Sequence, residues 1–481
     1  MVRFLYLSVM KFSPETVFED LGPDFADAVA PAAFPKHILR YRNDRHAVAV
    51  GLDGLSQDQW ISHFGKFEAL PGAQSAPLAV RYHGHQFRQY NPQIGDGRGF
   101  LFAQMRDCDG RLLDFGTKGS GQTPYSRSGD GRLTLKGGVR EVLATEMLEA
   151  LGVYTSKSFS LIETGEQLHR GDEPSPTRSS VLVRLSHSHV RYGAFQRFAY
   201  FKEADAMARL VDYSVRQFFP ELEVEEGDAK VAGFLKATAR RGGRLAATWM
   251  AAGFTHGVLN TDNLNVTGES FDYGPYRFIP HADPGFTAAY FDQTGLYAYG
   301  RQGEAVGWAL SQLGGALVLI AGEEALTDAL QVYPQSYREG MADAFFARLG
   351  LKRSDDAAQD LAFVSDLLEW MGAIDAPFEQ FFFDWFCGAQ SAARAENSPV
   401  AALYTDPDFQ SLKARILAAE PDRPQRLLQP FFEQDKPITL LIDEIEALWA
   451  RIAEDDDWSA FETKLEDIAS ARSAYQLTPR P

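Results

Sequence analysis

The feature that most constrains this chain is a polar loop sequence among apolar segments: HGVLNTDN at 256–263, followed by FDYG at 271–274. Asp262 stands beside Asn263, and Asp272 follows nine residues after that asparagine. Carboxylate and amide oxygens are the ligands that Mg²⁺ prefers, and Mg²⁺ usually takes only one or two protein carboxylates. The pattern predicts a magnesium site that serves a triphosphate, although an Asn/Asp-rich turn between two strands would have a similar composition.

The order of these residues is similar to that of protein kinases, in which a catalytic-loop Asp, a metal-binding Asn and the Asp of DFG follow one another. HGVLNTDN takes the place of HRDxxxxN, and the sequence DYG at 272–274 takes the place of DFG. An earlier DFG at 114–116 precedes Lys118, on the wrong side of the catalytic loop, and its apolar neighbours are typical of a strand end. We assign it no metal.

Two glycine-rich segments lie upstream, GDGRG at 95–99 and DFGTKGSGQTPYSRSGDGR at 114–132. Glycines allow a backbone to approach phosphates closely, and Lys118 and Arg98 offer positive charge. Glu141 follows on a segment with helical apolar spacing, which suggests the kinase pairing of a strand lysine with a helix glutamate. We therefore predict a Lys118–Glu141 pair, with Glu146 and Glu149 as rival partners.

Arg184 lies in the apolar run SVLVRLS, and Arg191 follows seven residues later. An arginine in such a run needs an anionic partner, which is either a bound phosphate or a carboxylate in a structural ion pair. Histidines alternate at 83, 85, 187 and 189, but no further ligands have zinc spacing, so hydrogen-bonded structural histidines are the better interpretation. No serine lies in a GxSxG motif, which argues against acyl transfer.

The amino-acid composition argues against several classes of protein. The 481 residues carry a formal net charge of −18, which argues against nucleic-acid binding because a phosphate backbone needs a basic face. Only two cysteines occur, without metal or disulfide spacing, so a reducing compartment is expected. Neither a signal peptide nor a run long enough for a membrane span is evident, and we expect a cytoplasmic protein without membrane contact.

The distribution of patterns predicts an α+β chain in four parts: an N-terminal extension at 1–75, a β-rich nucleotide-binding region at 76–200, a helical region with the metal loop at 201–390, and a helical extension at 391–481. Helical patterns in the third part include 203–219, 236–253 and 325–350. A β-rich part followed by a helical part fits a two-lobed nucleotide enzyme.

Seven motifs, in this order, resemble the SelO family, also called YdiU: GHQF, GDGRG, KGSGQTPYSRSGDGR, REVLATEM, SHxHVRYG, HGVLNTDN and FDYGP. The resemblance spans residues 80 to 300. It implies a protein-kinase-like, two-lobed pseudokinase fold with the N-terminal and the helical C-terminal extension. It also implies that ATP binds in a flipped orientation and that AMP is transferred to Ser, Thr or Tyr hydroxyls of proteins with release of pyrophosphate. The chain itself is one candidate acceptor.

The resemblance implies roles for individual residues. Asp262 matches the proton acceptor, Asn263 and Asp272 match the ligands of Mg²⁺ or Mn²⁺, and Glu141 matches the residue that orients Lys118. The remaining nucleotide contacts implied are Gly95, Gly97, Arg98, Lys118, Asp130, Gly131, Arg184 and Arg191. Many relatives carry a cysteine near the C-terminus where this sequence reads YQLTPRP, so control by a tail thiol is not expected.

Two other functions stay open at this point. The motifs alone do not say whether the α- or the γ-phosphorus faces the acceptor, so a conventional kinase-type phosphotransferase is one alternative. The other is a non-catalytic nucleotide-binding scaffold, which has less need of a full set of metal ligands.

Overall fold

The computed structural model describes residues 11–171 and 173–480; residues 1–10, on which the expectation about a signal peptide rests in part, lie outside them. The chain divides into two compact units. Unit 1 comprises Met1–Val142 and Ser156–Glu226, and unit 2 comprises Leu143–Thr155 and Gly227–Pro481. Unit 1 contains an antiparallel sheet and unit 2 is mainly helical, so the α+β prediction is confirmed. The four-part division at residues 75, 200 and 390 stays a prediction.

The strands in the described part of the chain are β1 Ser13–Glu15, β2 Ala26–Ala28, β3 Ile38–Arg42, β4 Leu78–Val80, β5 Gly84–Gln86, β6 Gln89–Asn91, β7 Leu101–Arg106, β8 Leu112–Lys118, β9 Leu133–Thr134, β10 Lys157–Leu168, β11 Thr177–Ser186, β12 Phe254–Thr255 and β13 Arg277–Phe278.

The α-helices there are α1 Asp44–Ala49, α2 Gln57–Phe64, α3 Leu135–Ala150, α4 Tyr192–Phe201, α5 Ala204–Phe218, α6 Gly227–Ala251, α7 Gln302–Leu317, α8 Glu323–Leu330, α9 Val332–Arg348, α10 Ala357–Ala373, α11 Phe378–Asp384, α12 Ala392–Glu396, α13 Phe409–Ala418, α14 Ile442–Asp455 and α15 Ser459–Tyr475. None of these helices is long and apolar enough to cross a membrane.

The main sheet of unit 1 has the strand order β2-β4-β7-β8-β11-β10-β3, with β1 added on β7 and β9 on β11. Its central strands β8 and β11 are buried along nearly their whole length, which explains why they read as apolar runs. In their antiparallel register Leu182 lies opposite Lys118. Because side chains two residues apart on a strand share a face, Arg184 and Lys118 lie on the same face of the sheet.

Aromatic side chains form the centre of the unit 1 core. Trp60 of α2 stacks on Phe159 of β10 with 4.8 Å between ring centroids, and Phe115 of β8 lies 4.6 Å from the same ring. All three side chains are fully buried. The DFG sequence at 114–116 therefore belongs to a core strand, although it lies in the middle of β8 and not at the strand end that its apolar neighbours suggested.

The helices of unit 2 enclose a separate apolar core, in which Trp370 of α10 stacks on Phe409 of α13 at 4.4 Å. The helical pattern at 325–350 corresponds to two helices, α8 and α9, which meet at Gln331. Pro334 gives the physical reason. A proline has no backbone N–H to donate and is accommodated in the first turn of a helix, so it favours a new helix start here.

Replacing Gly116 by Ala is expected to destabilise unit 1 by about 1–3 kcal/mol, the usual cost of forcing an extra group into a packed core. A β-carbon at Gly116 would lie 1.9 Å from the Nε2 atom of His189. Chemical denaturation measures the free energy of unfolding. Gly54→Ala is the matched control, since a β-carbon at Gly54 meets no atom within 4 Å; equal stabilities of the two variants would contradict the packing described for β8.

Candidate active site

Lys118 and Glu141 form a buried ion pair in unit 1. Lys118 is the last residue of β8, and α3 carries Glu141 beside it, with 2.5 Å between Nζ and Oε2. Lys118 is 4% exposed and Glu141 is fully buried. The rival glutamates on the same helix, Glu146 and Glu149, pair with Arg472 instead. The predicted contact between Lys118 and Glu141 is therefore present.

The guanidinium of Arg184 shares the same carboxylate. Its Nη1 lies 3.5 Å from Oε1 of Glu141, and Arg184 is as buried as Lys118. Two cations thus share one buried carboxylate, and ammonium and guanidinium groups are the side chains that bind phosphate in proteins.

Arg191 precedes α4 and is also held by protein groups. One of its guanidinium nitrogens, Nη2, lies 3.3 Å from Oδ1 of Asp96, and the guanidinium lies over the ring of Tyr82 at 4.6 Å. Both arginines of the predicted phosphate pair thus make ion pairs with carboxylates, which was the alternative interpretation from sequence. Ion pairing does not exclude a second, anionic partner, so their phosphate role stays a prediction.

The two glycine-rich segments pack against each other. A β-carbon on Gly95 would lie 2.5 Å from the ring of Tyr125, and one on Gly97 would lie 2.9 Å from the carbonyl oxygen of Tyr125. Thr123 and Ser126 donate hydrogen bonds to the carbonyl oxygens of Asp96 and Gly97. Close contact between the two loops is therefore a sufficient reason for glycine at 95 and 97, and their nucleotide role stays a prediction.

The remaining nucleotide contacts that the sequence predicts in unit 1 are Arg98, Asp130 and Gly131. Arg98 is exposed, and its carbonyl oxygen accepts a hydrogen bond of 2.7 Å from the amide of Gly119. Gly131 has a φ of +70°, and a β-carbon there would lie 2.3 Å from Gly121. Asp130 is exposed and pairs with Arg170 at 2.8 Å. Partial burial opposes its ionisation, but the hydrogen bonds from Arg170 and from the backbone of Arg132 hold the pKa of Asp130 below its ordinary value.

The HGVLNTDN loop of unit 2 forms a short 3₁₀ turn over Thr261–Asn263. Asp262 and Asn263 are 8% and 9% exposed. The amide nitrogen of Asn263 donates to the carbonyl oxygen of Val258 at 3.0 Å, which fixes the side-chain amide and leaves its oxygen as the donor atom for a cation.

The DYG segment is held on both sides of Asp272. Ring nitrogen Nε2 of His256 lies 3.0 Å from the carbonyl oxygen of Phe271 and acts as the donor, since a carbonyl only accepts. Tyr273 is buried, and its hydroxyl is hydrogen-bonded to the Thr155 hydroxyl. Between them Asp272 has a φ of +64°, a left-handed conformation that asparagine and aspartate tolerate better than most residues. Such backbone outliers cluster at functional sites.

Two residues that support the loop were missed from sequence. The hydroxyl of Tyr297 donates a hydrogen bond of 2.9 Å to Oδ1 of Asn260, and the carboxylate of Asp292 accepts from the backbone amides of Leu296 and Tyr297 at 2.9 and 2.8 Å. The sequence signal was the turn composition Asp-Gln-Thr-Gly at 292–295, in which an aspartate caps following amides. That composition identifies a turn but not its partner.

The donor set suits a hard cation held by few protein ligands. Within the described residues no group of three or more His, Cys, Asp or Glu could hold a metal. An amide oxygen from Asn263 and a carboxylate from Asp272 remain, which fits Mg²⁺ because this ion keeps water and phosphate oxygens as its other ligands. His83 and His85 instead hydrogen-bond with Tyr90 and Gln196, and burial lowers the pKa of His83 to about 4.

Replacing Tyr297 by Phe is expected to loosen the HGVLNTDN loop. Loss of the hydrogen bond to Asn260 should cost about 0.5–1.5 kcal/mol and speed amide hydrogen exchange in residues 256–265. Hydrogen–deuterium exchange with mass spectrometry measures this. Tyr290→Phe is the control, because the Tyr290 side chain is 81% exposed; equal exchange in the two variants would contradict the supporting role of Tyr297.

Comparison with known proteins identifies the chain. Residues 8–469 match the family model described as protein adenylyltransferase SelO. A protein of Synechocystis named protein nucleotidyltransferase YdiU is 42% identical over 471 residues, covering 95% of this chain and 98% of the relative. A relative of the same name from Gloeobacter violaceus is 44% identical over 470 residues, covering 94% of each chain, and one from Myxococcus xanthus is 33% identical over 398 residues, covering 82% of this chain and 79% of the relative. The chain therefore belongs to the SelO family of protein adenylyltransferases.

Proposed function

We propose that the chain uses a protein-kinase-like fold to transfer AMP from ATP to hydroxyl groups of serine, threonine or tyrosine on proteins, with itself among the acceptors. The buried Lys118–Glu141 pair is the observation that carries this proposal. In kinases a lysine at this place holds nucleotide phosphates while the helix glutamate orients it. Here Nζ and Oε2 are 2.5 Å apart, as this orienting role requires.

In this proposal unit 1 binds the triphosphate. Lys118 and Arg184 share one carboxylate, and their ammonium and guanidinium groups also bind the outer phosphates. Arg191 and the exposed Arg98 add further guanidinium groups. The glycine-rich segments at 95–99 and 119–131 offer backbone amides close to the phosphates. Membership of an adenylyltransferase family supports the flipped orientation of ATP, in which the outer phosphates are held and the α-phosphorus stays reachable.

The metal ligands in this proposal come from the HGVLNTDN and DYG segments. The amide oxygen of Asn263 and the carboxylate of Asp272 would hold Mg²⁺ or Mn²⁺. Such a cation supplies charge neutralisation for the triphosphate when it is bound. The fixed amide of Asn263 and the left-handed backbone at Asp272 keep both groups in place before binding.

Asp262 is the proposed general base. The hydroxyl oxygen of the acceptor attacks the α-phosphorus, and its proton passes to the Asp262 carboxylate. The bond between the α-phosphorus and its bridging oxygen breaks, and pyrophosphate leaves with the bonding electron pair. A general base needs hydrogen-bond reach to the hydroxyl, and most of the acceleration comes from positioning and charge stabilisation.

The reaction class is tested by incubating the protein with a divalent cation and ATP that is labelled on either the α- or the γ-phosphorus. We expect the α-label in protein, on the chain itself or in a lysate, with the mass gain of one AMP on a hydroxyl residue. Transfer of the γ-label alone would make the chain a kinase. Binding of ATP without transfer of either label would favour the scaffold.

Two aspartate variants distinguish the proposed general base from the proposed metal ligand. Asp262→Ala should keep ATP binding and lower the rate of transfer by about 10²–10⁴-fold, the usual contribution of a general base. Asp272→Ala should abolish transfer and also weaken metal-dependent ATP binding, because the triphosphate charge is left uncompensated. Calorimetry with ATP and the labelling assay measure the two effects. An equal loss of ATP affinity in both variants would assign Asp262 as a ligand instead of a base.

A further inference from the structure

The imidazole of His189 is a buried polar group to which the proposed reaction gives no role. His189 belongs to the loop between β11 and α4 and is 7% exposed. Among the described residues neither of its ring nitrogens makes a hydrogen bond, whereas the rings of His83 and His85 do. A buried polar group without a hydrogen-bond partner is costly, and a bound ligand is one reason for such a group.

The carboxylate of Asp114 lies on one side of this ring. Nδ1 of His189 is 3.3 Å from Oδ2 of Asp114, which is within ion-pair distance. Oδ1 of Asp114 accepts a hydrogen bond of 2.7 Å from Gln104. The side chain of Gln104 in turn bonds to the Tyr213 hydroxyl and to the backbone amide of Phe18. Buried groups therefore hold this carboxylate in place, and its second oxygen faces Nδ1.

The other ring nitrogen lies on the face of the sheet that carries Lys118 and Arg184. A β-carbon on Gly116 would be 1.9 Å from Nε2, so the ring occupies the space that a side chain at position 116 would fill. Gly116 lies opposite Arg184 in the register of β8 and β11, and Lys118 follows two residues later on the same face. Nε2 is therefore a neighbour of the cations that we propose to bind phosphate.

The charged groups around the ring come from three elements. Asp114 and Lys118 belong to β8, and Arg184 belongs to β11. Helix α3 adds Glu141, which is paired with both cations. Burial raises the pKa of Tyr213 on α5 well above its ordinary value, and the charge of Asp114 raises it further, so this hydroxyl stays neutral. The carboxylate that faces the ring directly is Asp114, on the Nδ1 side.

We propose that His189 is a further phosphate-binding residue of the nucleotide site and that Asp114 positions it. This inference rests on the proposed function, because it assigns a contact within the same site. Nε2 donates a hydrogen bond to an outer phosphate oxygen of ATP, while Nδ1 donates to Asp114. Phosphate and carboxylate oxygens only accept, so the ring carries a proton on both nitrogens when ATP is bound. Binding of ATP to a neutral ring therefore takes up one proton.

Two amide substitutions distinguish the roles of the two ring nitrogens. In His189→Asn the amide reaches only the position of Nδ1, so the donor at Nε2 is lost, whereas in His189→Gln an amide donor reaches the position of Nε2. Calorimetry with ATP and a divalent cation measures the affinities. We expect His189→Asn to bind ATP about 10-fold or more weakly and His189→Gln to stay within about 3-fold of the unaltered chain. His63→Asn, on α2, is the control and should bind ATP normally.

The pH dependence of ATP affinity is the second measurement, taken from about pH 6 to about pH 9. The affinity of the unaltered chain should fall as the pH rises, since only the protonated ring donates at both nitrogens. His189→Gln has no titratable group at this position, so its affinity should fall less, and the difference between the two excludes the ionisation of ATP itself. Asp114→Asn should weaken ATP binding in the unaltered chain and have no further effect in His189→Asn, because Asp114 acts through the ring.

Four results would overturn the inference. They are an unchanged ATP affinity in folded His189→Asn, a weaker affinity in His189→Gln than in His189→Asn, the same pH dependence in His189→Gln and the unaltered chain, and full additivity of Asp114→Asn with His189→Asn. Circular dichroism checks that each variant is folded. These measurements use ATP binding alone, so transfer of the γ-label would contradict the proposed function and leave this contact standing. Failure of the unaltered chain to bind ATP would contradict both.

Discussion

The carboxylate of Glu141 keeps two cations together in the interior of unit 1, and the nucleotide-binding half of the proposed function depends on it. Lys118 and Arg184 belong to neighbouring buried strands, where an uncompensated charge would cost several kcal/mol. Helix α3 supplies one carboxylate for both. The strands can therefore carry these two cations in the interior, where we propose that they also bind phosphate. The ion pair and the proposed ligand site are thus one arrangement.

The metal-binding and proton-accepting part of the proposed function depends on polar contacts that hold two loop segments. The HGVLNTDN and DYG segments have little regular structure of their own, and His256, Thr155 and Tyr297 anchor them through hydrogen bonds. Rigid support of this kind matters for catalysis, because a base and a metal ligand act only within hydrogen-bond or coordination distance. Buried tyrosine and histidine side chains of unit 2 therefore fix the positions of a few loop residues.

Much of the fold and of the candidate site could be predicted from the sequence. The features that were not predicted have physical causes. The α+β class, the central strands and the Lys118–Glu141 contact followed from apolar periodicity and from residue order. The boundary between α8 and α9 at Gln331 was not predicted, because helical spacing alone does not mark where one helix ends and the next begins. The contact between Tyr297 and Asn260 joins residues 37 apart, and no local pattern reports such a pair. The glycines at 95 and 97 suggested phosphate, yet packing against Tyr125 explains them equally well.

The most direct test of the account is the ATP affinity of Glu141→Gln, measured by calorimetry with a divalent cation present. A neutral amide keeps the shape of the side chain but no longer compensates Lys118 and Arg184. We predict a folded protein that binds ATP about 10-fold or more weakly, because the lysine loses its orientation. Glu146→Gln, on the same helix but paired with Arg472, should bind ATP normally. Unchanged ATP affinity in folded Glu141→Gln would contradict the central claim that this carboxylate organises the nucleotide site.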